Sequence, residues 1–395
     1  MIRPSLVVAV LFALPRLAAA QETTTAGPAP APAPAPAPAA DKQQVAAEPV
    51  QPEAGPIGHA FHWQPFGYLR MQYIAVQNDP NVQFVGRDDG FELQNARIGM
   101  RGNLGDHMAF VIALDGAVDE RAQNQVQGKL RVGLRDAFTD VAPGGLFVVR
   151  AGYFLPWVDP EALVADTERE LVDHPLESRG MRSTEGWYTP GLPPGRSMGV
   201  ALHLDPGPVK DGVAMGFEVA VQNGADEFAT NNDNDMPAVS AAAVVRMPGD
   251  SFVIAALRWN PRTVGDLPFR QDETDYQGTL GARVTLGPVR LGGGLIVQRT
   301  IFESTAGPEQ DAYGAHAQLF VKIPSTYPLA IGYRFAILDP SSLITTDRVM
   351  EHTVGAVMSV PSYRMRVQLQ LVHVEEQADR DLSNDRVQLA GEVSL

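Results

Sequence analysis

The 395-residue chain has no cysteine. A disulfide framework and thiolate chemistry are therefore excluded, and packing and hydrogen bonding alone must hold the fold together. Also lacking is any apolar run of the ~20 residues that a transmembrane helix needs. Basic residues are in deficit, 31 Lys and Arg against 46 Asp and Glu for a formal charge of −15, which argues against nucleic acid as a partner. No serine–histidine pair with hydrolase spacing stands out, so an enzyme is not expected. His59 and His62, beside Trp63, lack acidic or Cys partners at ligand spacing. The oxygen-rich runs at 231–235 and 379–385 lack the glycine and closing Glu of a calcium loop. Both read as solvated loop tips, and neither a metal nor a cofactor is expected.

Three compositional segments follow one another. Arg3, the apolar run Leu6–Leu14 and the small residues Ala18 to Ala20 read as a secretory signal over residues 1–20. Residues 21–60 read as a linker, because the alternating Pro-Ala tract from Pro28 favours a stiff polyproline II spacer. It would tether the chain in the periplasm, with a contact to peptidoglycan as the functional alternative. Residues 61–395 read as one β domain.

That domain is written in alternation. Sixteen short stretches of alternating apolar and polar residues are expected as strands: 65–77, 91–102, 107–115, 131–141, 146–153, 197–205, 213–222, 237–246, 252–260, 276–286, 289–299, 311–322, 328–336, 348–359, 362–374 and 386–395. The gaps between them alternate short and long, with tight turns such as Asn103–Asp106, Pro143–Gly145 and Gly287-Pro288. In the last stretch Val387, Leu389, Gly391 and Val393 share one face, and Arg386, Gln388, Ala390 and Glu392 the other. A period of two puts one face against something apolar and the other against water. An even strand number with tight turns at one end and long loops at the other is the pattern of an outer-membrane barrel. The expected fold is therefore all-β, a sixteen-stranded antiparallel transmembrane β-barrel, wide enough for an aqueous channel. Gly and Ala at many inward positions would leave its interior open. Aromatic residues such as Phe66, Tyr68, Trp259, Tyr276, Tyr313 and Tyr333 lie near strand ends, where interface girdles are expected.

Strand parity also sorts the charges. It puts Arg97, Arg101, Arg131, Arg135, Arg150, Arg283, Arg290, Arg334, Arg364, Arg366 and Arg386 on the inward face, with Glu218, Glu351 and Glu392 as the acids assigned there. An acidic protein would thus enclose a basic wall, which attracts anions. The alternative is that these arginines only balance loop carboxylates. One gap, Phe154 to Arg196, is 43 residues long and is expected to fold inward and set the narrowest point. Glu161 to Leu171 within it has helix-like spacing, and Trp157, Trp187 and Tyr188 add apolar mass. Its eight Asp and Glu against Arg169, Arg179, Arg182 and Arg196 make it net acidic.

Particular motifs add to this. Residues 95–106 (NARIGMRGNLGD), followed by FVIALD from Phe110, LRDAF from Leu134, FVVRAGYFLP from Phe147 and RSMGVAL from Arg196, resemble the phosphate-selective porins O and P. The resemblance implies a sixteen-stranded outer-membrane barrel, commonly a trimer, whose third outer loop folds into an arginine-lined anion passage. By position, Arg97 and Arg101 would be its wall arginines, and Glu168-Arg169 with Arg179 to Arg182 its inward loop. The present chain departs from the family in having no lysine in that loop. The functional reading is an outer-membrane porin for passive diffusion of small solutes with anion preference, in contact with lipid and lipopolysaccharide. The alternatives are a structural envelope protein with a poorly conducting barrel, or a non-selective porin.

Overall fold

A computed structural model describes residues 61–87, 89–105, 107–116, 132–142, 147–224, 234–264, 270–303, 309–377 and 381–395. The expected signal and linker, His59 and Arg131 lie outside the described residues.

Sixteen strands form one closed antiparallel barrel: β1 (Phe61–Val76), β2 (Gly90–Leu104), β3 (Met108–Asp115), β4 (Gly133–Val141), β5 (Val148–Phe154), β6 (Ser197–Leu204), β7 (Ala214–Gln222), β8 (Ala238–Met247), β9 (Ser251–Val264), β10 (Gln271–Leu286), β11 (Val289–Phe302), β12 (Gln310–Ile323), β13 (Leu329–Asp339), β14 (Val349–Val360), β15 (Met365–Glu376) and β16 (Arg386–Ser394). Each strand pairs with its chain neighbour, and β1 closes the ring on β16 from Tyr68↔Ser394 to Val76↔Arg386. Closure leaves no unpaired sheet edge, the condition for β structure in a bilayer. No helix among the described residues is long and apolar enough to cross a membrane.

The sixteen expected strands are all present, and the differences lie at their ends. β9 and β10 run several residues past the expected bounds toward the long-loop end, carrying Arg262, Glu273 and Asp275 onto the sheet. At the other end Pro361–Tyr363 forms a 3-10 turn, and Arg364 adopts a left-handed conformation (φ 49°) before β15 begins. The two-residue hairpin between β10 and β11 needs a positive φ at Gly287 (58°), which glycine supplies without steric cost.

The faces separate cleanly. Leu257, Leu280, Leu371, Val387, Leu389 and Val393 point outward and are exposed, whereas their neighbours Gln370, Gln388, Ala390 and Glu392 are buried inside. Trp259, Tyr276 and Tyr313 lie outward near the long-loop ends and Tyr333 outward at mid-strand, but Phe66 and Tyr68 face inward opposite Gly99 and Arg97. Two bulges shift parity. One on β2 around Gln94 makes Glu92 inward before it and Arg97 inward after it, and one on β4 around Arg135 turns Asp136, Phe138 and Asp140 inward. One inserted residue exchanges the faces of everything beyond it. The inward face is consequently richer in acids than parity implied: Glu92, Asp115, Asp136, Asp140, Glu273 and Asp275 join Glu218, Glu351 and Glu392.

Candidate functional site

The 42 residues between β5 and β6 lie against the inward face of the wall. Their backbone is irregular. Pro160–Leu163 and Asp166–Glu168 are 3-10 turns, Leu176–Arg179 is a single helical turn, and Gly180–Met181 pairs with Thr189–Pro190. The helix-like spacing of 161–171 does not yield a helix. Val164 and Ala165 adopt extended backbone between the two 3-10 turns, and the apolar residues go to different walls. Trp157 and Val164 pack on Val244, Phe252 and Ile254, while Leu176 and Met181 pack on Leu338, Val349 and Val372.

The inward glycines are sockets, not open width. A Cβ added at Gly281 would come within 2.3 Å of Pro160, at Gly314 within 2.3 Å of the Glu177 Cβ, and at Gly355 within 2.3 Å of Leu171.

Charged contacts bind this segment across the lumen. The Asp166 carboxylate meets Arg97 (2.8 Å), Arg135 (3.3 Å) and Arg169 (2.6 Å), and accepts a hydrogen bond from the Tyr68 hydroxyl at 2.9 Å. Burial opposes its ionisation, but Arg169, then Arg97 and His174, outweigh that and hold it well below the usual carboxylate range. His174 is held well below the usual imidazole range, by burial first and then by Arg169. Glu170 pairs with Arg283 (3.1 Å) and with Arg290. Arg179 bridges Glu185 (2.7 Å) and Glu351 (2.5 Å), and Arg386 reaches the same Glu351 at 2.5 Å. Burial works against Glu185 too, yet Arg179, Arg386 and Arg182 together keep it ionised far below its usual range. Arg182 pairs with Glu92 at 3.1 Å, Arg196 with Asp136 at 2.8 Å, and the wall residues Arg150 and Asp140 with each other at 2.8 Å. Glu177 and Glu161 flank the two ring nitrogens of His316. Nearby, burial and then the Glu161 charge push the Asp159 carboxyl up to about 7.

A second set of contacts is to backbone. Arg70 donates to the Asp166 carbonyl at 2.7 Å, and Arg334 to the carbonyls of Asp173 (2.9 Å) and His174 (3.2 Å). Arg366 donates to the carbonyls of Thr167 and Arg169, and Gln368 also reaches Arg169 at 3.0 Å.

Most of the sequence-derived arginines are thus brought together around residues 155–196. Arg101 instead faces inward at the tight-turn rim, donating to Gln64 at 3.1 Å. Arg364 does not reach the wall, because it sits exposed in the β14–β15 turn. Parity missed Arg70, and it overlooked Arg258, which faces inward opposite Ser240 and Gln277 and has no hydrogen-bond or ion-pair partner among the described residues. The stretch Gly195-Arg-Ser-Met-Gly199 spells a hydrolase nucleophile elbow, but Ser197 opens β6 with no strand-to-helix turn and donates to the Asn223 carbonyl at 3.0 Å. No group of three or more potential metal ligands among the described residues is arranged to hold an ion.

The segment leans unevenly. Side chains facing it from the far wall are sealed, with Arg386 1% and Arg283 7% exposed, whereas Arg135 and Asp140 on β4 retain 28% and 20%. Solvent therefore reaches the inward face along β4, and at β9 as well, where the Arg262 side chain retains 31%.

Comparison with known proteins agrees with this architecture. The outer membrane channel DcaP of Acinetobacter baumannii superimposes with a TM-score of 0.59 at 12% identity, over 87% of this chain and 99% of that one. The trimer form of OmpT, an outer membrane protein of Vibrio cholerae, gives 0.57 at 12% identity over 85% and 100%. Salmonella typhi OmpF in complex with daunomycin gives 0.56 at 14% identity over 85% and 98%. No curated protein matches the chain by sequence. The family model for phosphate-selective porin O and P matches residues 67–232, the stretch carrying β1 to β7 and the inward segment. The chain is thus a β-barrel protein of the bacterial outer membrane with the fold of the porins, and over residues 67–232 it is similar to the phosphate-selective porin O and P family.

Proposed function

We propose that this porin is a passive channel for small solutes with a preference for anions, and that it works as a homotrimer. The match of residues 67–232 to the phosphate-selective porin family and the trimer form of the OmpT neighbour support the reading. The observation that carries the ion preference is an imbalance among unpaired charges. Arg101, Arg258 and Lys322 face inward with no carboxylate partner among the described residues, the first and last of them exposed; of the inward acids without a cation partner there, only Glu168 is exposed, while Glu218 and Glu376 are buried or half-buried and accept from the Trp157 and Leu382 amides. Paired charges contribute little net potential beyond their own separation, so the unpaired ones set the sign.

The test is the reversal potential of the purified protein in a planar bilayer under a tenfold KCl gradient. A potential of the sign set by chloride is expected, reduced when Arg101 and Lys322 are both changed to Ala. A zero or cation-directed potential refutes the preference. Absence of conductance would instead favour an envelope protein with a closed barrel.

A further inference from the structure

We propose that Arg258 and Ser240 form a binding site for a single small inorganic anion on the inward wall; this rests on the anion reading above and gives it a location. The two residues are direct cross-strand partners on β9 and β8, and both face inward. Directly opposed side chains on a sheet lie about 5 Å apart at their Cβ atoms, so one ligand can touch both. Ser240 is a largely buried residue, and neither its hydroxyl nor the guanidinium of Arg258 makes a hydrogen bond or ion pair to any described residue.

The neighbouring carboxylates are already engaged. Asp275 contacts Arg262 at 2.8 Å and accepts from the Thr300 hydroxyl at 2.7 Å, and Glu273 contacts Arg262 at 3.1 Å. On the other side, Gln277 uses its amide on the Leu192 carbonyl at 2.6 Å. Arg258 is thus a fixed cation whose donors have been left free beside a satisfied cluster. A guanidinium offers five N–H donors in a planar fork, and a hydroxyl beside it adds one more, a set suited to an oxyanion. Arg258 also decides the sign of the local charge. With it, two arginines face two carboxylates; without it, Arg262 alone faces Glu273 and Asp275. The arginines around residues 155–196 cannot serve in this way, because carboxylates or carbonyls occupy them.

The experiment measures wild type, Arg258→Gln and Ser240→Ala in planar bilayers, with chloride and then inorganic phosphate as the current-carrying anion. In wild type, conductance is expected to saturate with phosphate concentration as a single site fills. Arg258→Gln should remove the saturation and lower the anion-to-cation permeability ratio about threefold, the effect of one unit charge at about 6 Å in water. Ser240→Ala should weaken saturation while leaving the chloride reversal potential in place. A wild type that is anion-selective while Arg258→Gln keeps both selectivity and saturation overturns this site and spares the anion reading. A wild type with no anion selectivity overturns both. Should Arg258→Gln fail to assemble, wild-type conductance strictly linear in phosphate already refutes the site.

Discussion

Replacing Asp166 by Asn should make the pore more anion-selective without opening it. Asp166 neutralises a cluster of three guanidinium groups, those of Arg97, Arg135 and Arg169, at 2.8, 3.3 and 2.6 Å. Asn keeps the shape and an acceptor for the Tyr68 hydroxyl but removes the charge. The segment should stay seated, because Arg70, Arg334, Arg366 and Gln368 hold its backbone carbonyls independently of that carboxylate. One uncompensated unit charge about 6 Å from a permeating ion is worth about 0.7 kcal/mol at the dielectric of water, a factor of about three in local anion occupancy. Removing one partner of a buried charge cluster costs about 3–5 kcal/mol; Arg135 is partly wetted, so the lower end applies here. The variant should therefore melt earlier in detergent, keep a similar single-channel conductance, and shift its reversal potential toward chloride. The shift should be largest at low ionic strength and shrink in molar salt, where the screening length is about 3 Å. An unchanged potential, or one displaced toward potassium, would refute the claim that Asp166 silences these arginines.

Other perturbations separate the wall from the segment. Gly314→Val places side-chain atoms where Glu177 sits, the added Cβ alone lying within 2.3 Å of the Glu177 Cβ. The segment must withdraw, so single-channel conductance should rise, and an unchanged conductance would mean that the segment does not narrow the pore. Glu351→Ala leaves Arg179 and Arg386 without their shared carboxylate, a loss of about 3 kcal/mol that thermal melting in detergent would detect. Asp159 bears on pH dependence. Its carboxyl, raised from 3.8 to about 7, binds a proton in the folded chain that the unfolded chain releases between those values. Stability should therefore fall as pH rises through that window, by at most about 4 kcal/mol at 1.36 kcal/mol per unit. Asp159→Asn should flatten the melting temperature between pH 4 and 7, and an equally steep profile in the variant would exclude Asp159 as the source.

The strand count was readable because lipid on one side and polar groups on the other impose a period of two on every stretch, from Val387–Glu392 to Leu280–Thr285. What one residue can undo was not. The bulges at Gln94 and Arg135 leave no mark in the alternation, yet they turn Glu92, Asp136 and Asp140 inward and so double the three acids that parity had assigned there. The path of residues 155–196 was hidden for a different reason. Leu163 and Leu171 share a helical spacing only by accident of sequence, since Leu163 packs on the wall of Val244 and Ile254 and Leu171 against Gly355. The partners that fix the segment, such as Arg366 with Thr167 or Arg283 with Glu170, stand more than a hundred residues apart. No local pattern encodes such pairs.

The number of inward arginines has a cause that is separate from transport. Irregular backbone at membrane depth is tolerated only where its polar groups find partners. Residues 166–174 offer carbonyls that no helix or sheet satisfies, and the barrel wall has its own amides committed to the ladder. Long side chains rich in donors are the remaining supply: Arg334 and Arg366 each deliver two N–H groups to these carbonyls and Arg70 delivers one, all from the stretch of wall between β13 and β1. Lysine, with a compact ammonium, would suit paired carbonyls less well than a planar fork does. The basic wall is therefore first a scaffold for the segment, and an arginine bears on ion selection only where that scaffold leaves it unpaired. By that criterion we propose Arg101 and Arg258 as selectivity residues and Arg283, Arg290 and Arg334 as structural ones. Mutating the second group should unseat the segment before it changes the sign of the reversal potential.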